Sequence, residues 1–526
     1  MRRSRFDAVA SVRDSRGTTI GANPAPIPVA ATLHPVDASV ATQAPGALVR
    51  AGAKGVLWQG LAQAVGKTVV LVTTILLARL LSPEEYGLVA FALVLMAYAE
   101  AIADAGVAQA LVYLPRSEQS ARAALLVSLL TGCLLVIVAF VAAPLVADFF
   151  GDPDVAPLVR VLSASLFASS MGAVPEALLR RELAFERVTI GTVIRVLTTG
   201  GVTISLALAG YGAWSLAWGT VAGSMIYAIA CWCLIPTRPG VHFWRATGPD
   251  LRLVLGYGIP VAGSALLAKL IFDVDYLVVG GLLGAEALGF YTLAFRLPEL
   301  VIITVFFVLS SVTFPLYSRA RHDPEQLRRG YLLSVRVQSL YGVCAGVGLA
   351  VIAPYVVPVV FGPAWIPAAG PLILLTLYAA ARSVGAGANE VYKALGRPGL
   401  SIRMSLARLA ILIPVLIFAA RWGIEGVAWA QLVVAILFAL GMQGIAARVM
   451  RLPLRDLLGA IRPAMSGGLA VALVGAVLLM LGMNPVIGLI VIVLAGLVAV
   501  AAVLGLGYPS VVRELVQLAH LGPANK

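Results

Sequence analysis

Charge is scarce in this chain. Only 12% of its 526 residues are Asp, Glu, Lys or Arg, and 60% are hydrophobic. An ordinary soluble domain carries about a quarter charged residues, so a solvated globular fold is excluded and an integral membrane protein is expected. Histidine is scarcer still. His34, His242, His322 and His520 all lie outside the apolar runs, and no H-E-x-x-H pair exists to hold a metal. The four cysteines, Cys133, Cys231, Cys233 and Cys344, sit inside apolar runs, where they read as small hydrophobes rather than a disulfide framework. There is no G-x-S-x-G elbow. The nearest approach to a phosphate loop, GLAQAVGKT at Gly60, has five residues between its glycines instead of four and lies in an apolar run, not between strand and helix. These absences leave no expected cofactor, no metal site and no catalytic group, so the chain does not read as an enzyme.

What the chain does have is length in its apolar runs. A membrane-spanning helix needs roughly 20 predominantly apolar residues. Fourteen such runs are found, near 56–80, 86–111, 122–147, 157–178, 188–209, 212–235, 252–283, 287–317, 331–358, 366–392, 402–420, 424–447, 463–481 and 485–507. The fold class expected is an all-α polytopic membrane protein. The first 54 residues read as a disordered basic tail, with Pro/Ala-rich sequence and no apolar stripe. A secretory signal lacks its apolar core here, while an organelle transit peptide stays open as a second reading. Residues 509–526, with apolar residues at helical spacing, read as an amphipathic surface tail.

The net charge of +13 would point to nucleic acid in a soluble chain, but its distribution points to topology. The odd-numbered connections between runs hold one basic residue, Arg421; the even-numbered ones hold nineteen, from Arg116 and Arg122 to Arg455 and Arg462. The positive-inside rule places the nineteen in the cytoplasm, together with both termini. No nucleic-acid partner is expected.

A duplication organises the runs. LLSPEEYGLVAF at Leu80 returns as LLGAEALGFYTL at Leu282. Likewise APLVADFFGDPD at Ala143 returns as APYVVPVVFGPAW at Ala353, and YGAWSLAW at Tyr211 as WGIEGVAW at Trp422. The offsets are about two hundred residues, so runs one to six repeat as runs seven to twelve. Each unit holds an even number of helices, which makes the repeats parallel, related by an axis along the membrane normal. The expected domains are an N-lobe over 55–235, a cytoplasmic linker at 236–250, a C-lobe over 251–448, and two extra helices within 449–508. Two such bundles usually face each other across a substrate path.

Ionisable groups at membrane depth are costly, roughly 2.5–3.5 kcal/mol on insertion scales, and so face a wet cavity or a partner. The repeat pairs several of them: Lys67 with Lys269, Arg195 with Arg408, and Glu176 with Glu390. Four cations at similar depth would line a vestibule suited to a polyanion, a diphosphate above all. The bland alternative is ion pairing along a helix, Lys269 with Asp273 and Glu390 with Lys393. Arg296 and Glu299 stand three apart in LAFRLPEL, and Arg382 and Asn389 share a helix face. Asp273, Asp275, Glu100 and Asp104, together with the two paired glutamates, are candidates for carrying a coupling proton or ion.

ARLLSPEEYGLVAF, DAGVAQALVYLP, EALLRRELAFER, YGAWSLAW and DYLVVGGLLGAEALGFYTLAFRLPEL carry a family resemblance over about residues 55–450. The chain resembles the polysaccharide transporter branch, Wzx-type and WzxC-like, of the multidrug/oligosaccharidyl-lipid/polysaccharide (MOP) exporter superfamily. The resemblance implies two six-helix lobes around a central cavity, alternating access, and residence in a bacterial inner membrane. It implies a polyprenyl-diphosphate-linked oligosaccharide as the load, flipped outward for capsule, exopolysaccharide or O-antigen assembly. Membrane lipids and other polysaccharide-assembly proteins are the partners it suggests, for a monomer. Related lipid II flippases use cavity arginines, and Arg296 falls at a matching place. Their first-span arginine is replaced here by Thr73, with Lys67 deeper in the same helix. A drug exporter of the same superfamily is the nearest other reading; a membrane glycosyltransferase or polymerase is the third, and no inter-helix loop is long enough to hold its reactive residues.

Overall fold

A computed structural model describes residues 45–103, 106–113, 117–236, 246–385 and 387–520. Among them every regular element is a helix. In order these are α1 Pro45–Leu80, α2 Pro83–Ala103, α3 Val107–Tyr113, α4 Glu118–Phe150, α5 Val155–Arg181, α6 Phe185–Leu208 and α7 Trp214–Leu234, followed by α8 Gly248–Leu283. Next come α9 Ala285–Pro298, α10 Thr304–Ala320, α11 Pro324–Val356, α12 Ala369–Gly385, α13 Gly387–Ala394, α14 Pro398–Ala419 and α15 Gly423–Met450. Three more close the chain: α16 Leu454–Met480, α17 Pro485–Gly507 and α18 Pro509–His520. Most of the expected tail (residues 1–44) and most of the linker (237–245) lie outside the described residues, as does Asp104.

Twelve stretches are long and apolar enough to cross a membrane, and one of them, Gly399–Met450, contains two helices, α14 and α15. The α8 helix, not among these twelve, is also long enough at 36 residues, and it carries Asp250, Arg252, Lys269, Asp273 and Asp275. That completes the fourteen runs of the sequence. The breaks within runs follow from local chemistry. Pro298 supplies no N–H to the turn before it and crowds the carbonyl four residues back. The helix passes there into a wider π-turn, Glu299–Ile303, before resuming as α10. Such turns recur at functional sites.

Helix ends carry the expected caps. Ser117 accepts from the Ser120 amide at the start of α4, and Asp323 accepts from the Glu325 and Gln326 amides ahead of α11. At the other end of α4 the chain turns through Gly151 at φ 70°, the left-handed region that favours glycine.

Within the first repeat α5 packs on α4 and α7, and α7 on α6; within the second α12 packs on α11 and α15. The repeats meet through α2 against α9, with α8 crossing over α2 and α4. The α16 helix rides on α11, where Gly468 and Gly475 leave no room for a side chain against Val343 and Val351. Small residues of this kind let membrane helices approach closely. Large hydrophobics such as Leu130, Val141, Leu469 and Leu497 are exposed on the outside of the bundle, as a surface facing lipid requires.

One end of the interface between repeats is sealed. The indole N–H of Trp365 donates to the Ala78 carbonyl at 2.6 Å, and Arg79 donates to the Val359 and Val360 carbonyls. The rings of Tyr86 and Phe290 stand edge-on to Trp365 at 5.6 and 5.9 Å. All of these residues belong to the arginine-poor side of the bundle.

Candidate functional site

Below that seal lies a cavity of about 480 Å³ between the repeats. The α2 helix contributes Tyr86 and Leu93; α8 contributes Lys269, Phe272, Asp273 and Tyr276; α9 and the π-turn contribute Phe295, Arg296 and Glu299. Helical spacing puts Lys269 and Asp273 on one face of α8, where they pair at 2.7 Å. The Lys269 ammonium also stands over the Tyr98 ring at 5.6 Å. Arg296 and Glu299 pair at 3.2 Å. The second oxygen of Glu299 faces Lys67 of α1 at 3.4 Å, across 232 residues of sequence. Glu299 therefore bridges two cations from two helices. Its own backbone carbonyl accepts from the Thr304 amide, the bond of the π-turn, and also from the Thr304 hydroxyl at 2.9 Å.

Behind the aromatic wall of this cavity is a second cationic pair. Arg382 lies over the Phe272 ring at 4.7 Å and donates to the Tyr378 hydroxyl at 2.9 Å. Arg408 donates to the same hydroxyl at 3.3 Å, and Tyr378 packs on Phe295. Among the described residues no carboxylate stands within ion-pair distance of either arginine. Asp275 is fully buried between α8 and α9, where it accepts from the Tyr291 hydroxyl at 2.7 Å.

A larger cavity of about 720 Å³ opens toward the arginine-rich side, lined by the first repeat and by Tyr257 of α8. Glu100, Ser169, Glu176, Arg180, Arg195 and Tyr227 line it. Glu176 pairs with Arg180 at 2.7 Å, Arg195 lies over the Tyr227 ring at 5.5 Å, and Glu100 accepts from Ser169 at 3.1 Å.

The four cations expected around a single vestibule are thus distributed. Lys269 and Arg296 line the central cavity, Lys67 reaches it only through Glu299, Arg195 lines the other one, and Arg408 stands behind the wall. The reason is packing: α6 is held against α7 in its own repeat, and α14 against α15 and α8. The pairings expected along helices, Lys269 with Asp273 and Glu390 with Lys393 at 3.0 Å, are both present. Asn389 accepts from Ser401 at 2.9 Å and ties α13 to α14. Two features escaped the sequence. The link from Lys67 to Glu299 joins positions that no spacing rule connects, and Tyr378 carries no mark apart from lying four residues before Arg382.

Two helical repeats packed across a cavity that is closed on one face, with Lys269 and Arg296 in its lining, define a polytopic membrane protein with the fold of the solved MurJ and MATE structures. The chain belongs to the family described as polysaccharide biosynthesis protein, whose profile matches residues 76–370. It is 26% identical over 394 residues to the lipopolysaccharide biosynthesis protein WzxC of Escherichia coli (strain K12), covering 73% of this chain and 78% of that one. To the succinoglycan biosynthesis transport protein ExoT of Rhizobium meliloti (strain 1021) it is 27% identical over 310 residues, 58% of this chain and 62% of that one. Among solved structures, the lipid II flippase MurJ in an inward closed conformation superposes with a TM-score of 0.70 at 15% identity, over 87% of this chain and all of that one. At that identity the likeness speaks to the fold.

Proposed function

We propose that the chain is a flippase for a polyprenyl-diphosphate-linked oligosaccharide, moving it from the cytoplasmic to the outer leaflet of a bacterial inner membrane. The load serves assembly of a surface polysaccharide: capsule, exopolysaccharide or O-antigen. The observation that carries this reading is a cavity between the two repeats lined by Lys269 and Arg296, with Lys67 joined to it through Glu299. A diphosphate needs such cations once it leaves water, since a charge in a low-dielectric site must be paired. The Arg382–Tyr378–Arg408 cluster adds further positive charge behind the aromatic wall. The polyprenyl tail stays in lipid.

Both termini and the nineteen basic loop residues face the cytoplasm in this reading. The sealed face then looks outward, and the cavities receive their load from inside. Transport proceeds by rocking of one lobe, residues 55–235, against the other, 251–448. A ligand can drive that exchange only through different affinities for the two states. Asp104, Asp273, Asp275, Glu176 and Glu390, with Glu100, are the acids this reading assigns to ion or proton coupling. The chain acts as a monomer, alongside other assembly proteins.

The test is deletion of the gene with measurement of lipid-linked oligosaccharide and surface polysaccharide. Accumulation of the lipid-linked precursor, reversed by the wild type and not by a normally expressed Lys67→Ala/Lys269→Ala variant, is the expected result. Unchanged precursor and polysaccharide, in a strain with no second flippase, would move the reading to a small-molecule exporter of the same superfamily.

A further inference from the structure

Glu299 occupies the place where the load is expected to bind. It spends one carboxylate oxygen on Arg296 at 3.2 Å and the other on Lys67 at 3.4 Å. All three side chains are about one-third exposed, Lys67 at 35% and Glu299 and Arg296 at 33%, and Glu299 and Arg296 line the cavity, where a ligand can reach them. The guanidinium is not saturated by this pairing, because Arg296 Nε is buried with no hydrogen-bond partner. A carboxylate offers these cations one negative charge and two oxygens. A diphosphate diester offers two charges and four non-bridging oxygens, and phosphate suits bidentate engagement by arginine. The two groups cannot hold the same cations at the same time.

We propose that Glu299 is a resident counter-ion, displaced from Lys67 and Arg296 by the diphosphate of the load, which competes with the load for its site. This rests on the flippase reading above and assigns that site a second, self-supplied ligand. Two consequences follow from the geometry. The empty transporter keeps its cations neutralised at membrane depth, where unpaired charge is costly. The returning carboxylate also limits how tightly the load is held, and so speeds its release. Because the Lys67–Glu299 contact joins α1 to the π-turn after α9, arrival of the load unties these two segments and departure ties them again. Glu299 is thus a positioning and specificity residue, acting through the two cations.

The experiment uses the full chain, purified in detergent, with farnesyl diphosphate as the probe and titration calorimetry as the readout. Precursor accumulation in the deletion strain reports transport. Glu299→Gln removes the competing charge and keeps the shape. The expected result is farnesyl diphosphate binding tightened about tenfold, together with accumulated precursor, since release is slowed. Glu299→Asp, which keeps the charge on a shorter arm, should tighten binding less and restore part of the transport. In a Lys67→Gln background the effect of Glu299→Gln on binding should shrink to the part carried by Arg296 alone. A merely structural carboxylate would give the opposite sign. Binding that is unchanged or weaker in a Glu299→Gln protein with the wild-type melting temperature would overturn the competition and leave the flippase standing. No binding of farnesyl diphosphate by wild type or variant, with transport indifferent to Lys67→Ala, would remove the substrate reading and this proposal with it.

Discussion

Gly87 and Gly289 hold the same place in the two copies of the repeat, and they face each other where α2 crosses α9. A Cβ built on Gly87 would collide with the Ala285 carbonyl and stand 2.9 Å from the Gly289 nitrogen. One built on Gly289 would collide with the Pro83 carbonyl and stand 3.3 Å from the Gly87 nitrogen. Backbone thus meets backbone at the pseudo-symmetry axis, beside the Trp365 seal. The glycine of the duplicated signature serves this contact.

It follows that Gly87→Ala should disfavour the sealed form. Overpacking of a close contact costs about 1–3 kcal/mol, equivalent to roughly a five- to 150-fold shift between two states. The check is a single cysteine at Ala90, which lines the cavity and is buried, in a background with the four native cysteines replaced. A membrane-impermeant maleimide applied from outside should label it slowly with Gly87 in place and faster in Gly87→Ala. Equal labelling would mean that the contact does not gate access.

Trp365 offers a second handle on the same seal. Its ring is fully buried, and its N–H satisfies Ala78, one of the end-of-helix carbonyls that lack an intrahelical partner. Trp365→Phe keeps most of the packing and loses one hydrogen bond, at a cost of about 0.5–1.5 kcal/mol. Trp365→Ala also opens a cavity, and such truncations cost about 3–5 kcal/mol. Thermal unfolding in detergent should rank the variants in that order. Precursor accumulation with the Phe variant at near-normal stability would assign the hydrogen bond a part in gating.

Much of this architecture was legible because lipid imposes strict rules on sequence. Each span must be apolar for about 20 residues, and the cationic loops must stay on one side. The duplication was legible as well, since its glycine and its flanking Leu-Leu pair recur at a fixed offset. The pairing of Lys269 with Asp273 followed from the helical period alone. The site was harder to read because it is built from contacts between helices distant in sequence. Nothing around Lys67 says that it meets Glu299, or around Arg408 that it meets Tyr378. The repeat even misled here, for it placed Arg195 and Arg408 in equivalent settings. In the structure Arg195 stacks on Tyr227 beside an open cavity, while Arg408 shares a hydroxyl with Arg382. Symmetry of sequence did not extend to the surroundings of these side chains.

Asp275 and Tyr291 form a buried pair whose partners can be removed separately. Tyr291→Phe deletes the donor and leaves a buried carboxylate unsatisfied, which costs about 1–3 kcal/mol. Asp275→Asn removes the charge and should cost less. If the two act on one interaction, the double variant will be less destabilised than the sum of the singles. A double-mutant cycle by thermal unfolding is the measurement. Additive effects would mean that the 2.7 Å bond contributes little.

The Lys269–Asp273 pair separates structure from transport most directly. Both side chains are about three-quarters buried, at 28% and 21% exposure, so removing either partner strands the other at membrane depth. Lys269→Ala should therefore cost about 1–3 kcal/mol, less than a fully buried pair because water still screens it. It should also block flipping, since Lys269 and Arg296 are the cations that line the cavity. Lys269→Ala/Asp273→Ala removes the stranded carboxylate as well. The expected outcome is a melting temperature restored toward wild type with precursor still accumulating. Recovery of both properties in the double variant would leave Lys269 with a structural task only, and the diphosphate would then have to be held by Lys67 and Arg296 alone.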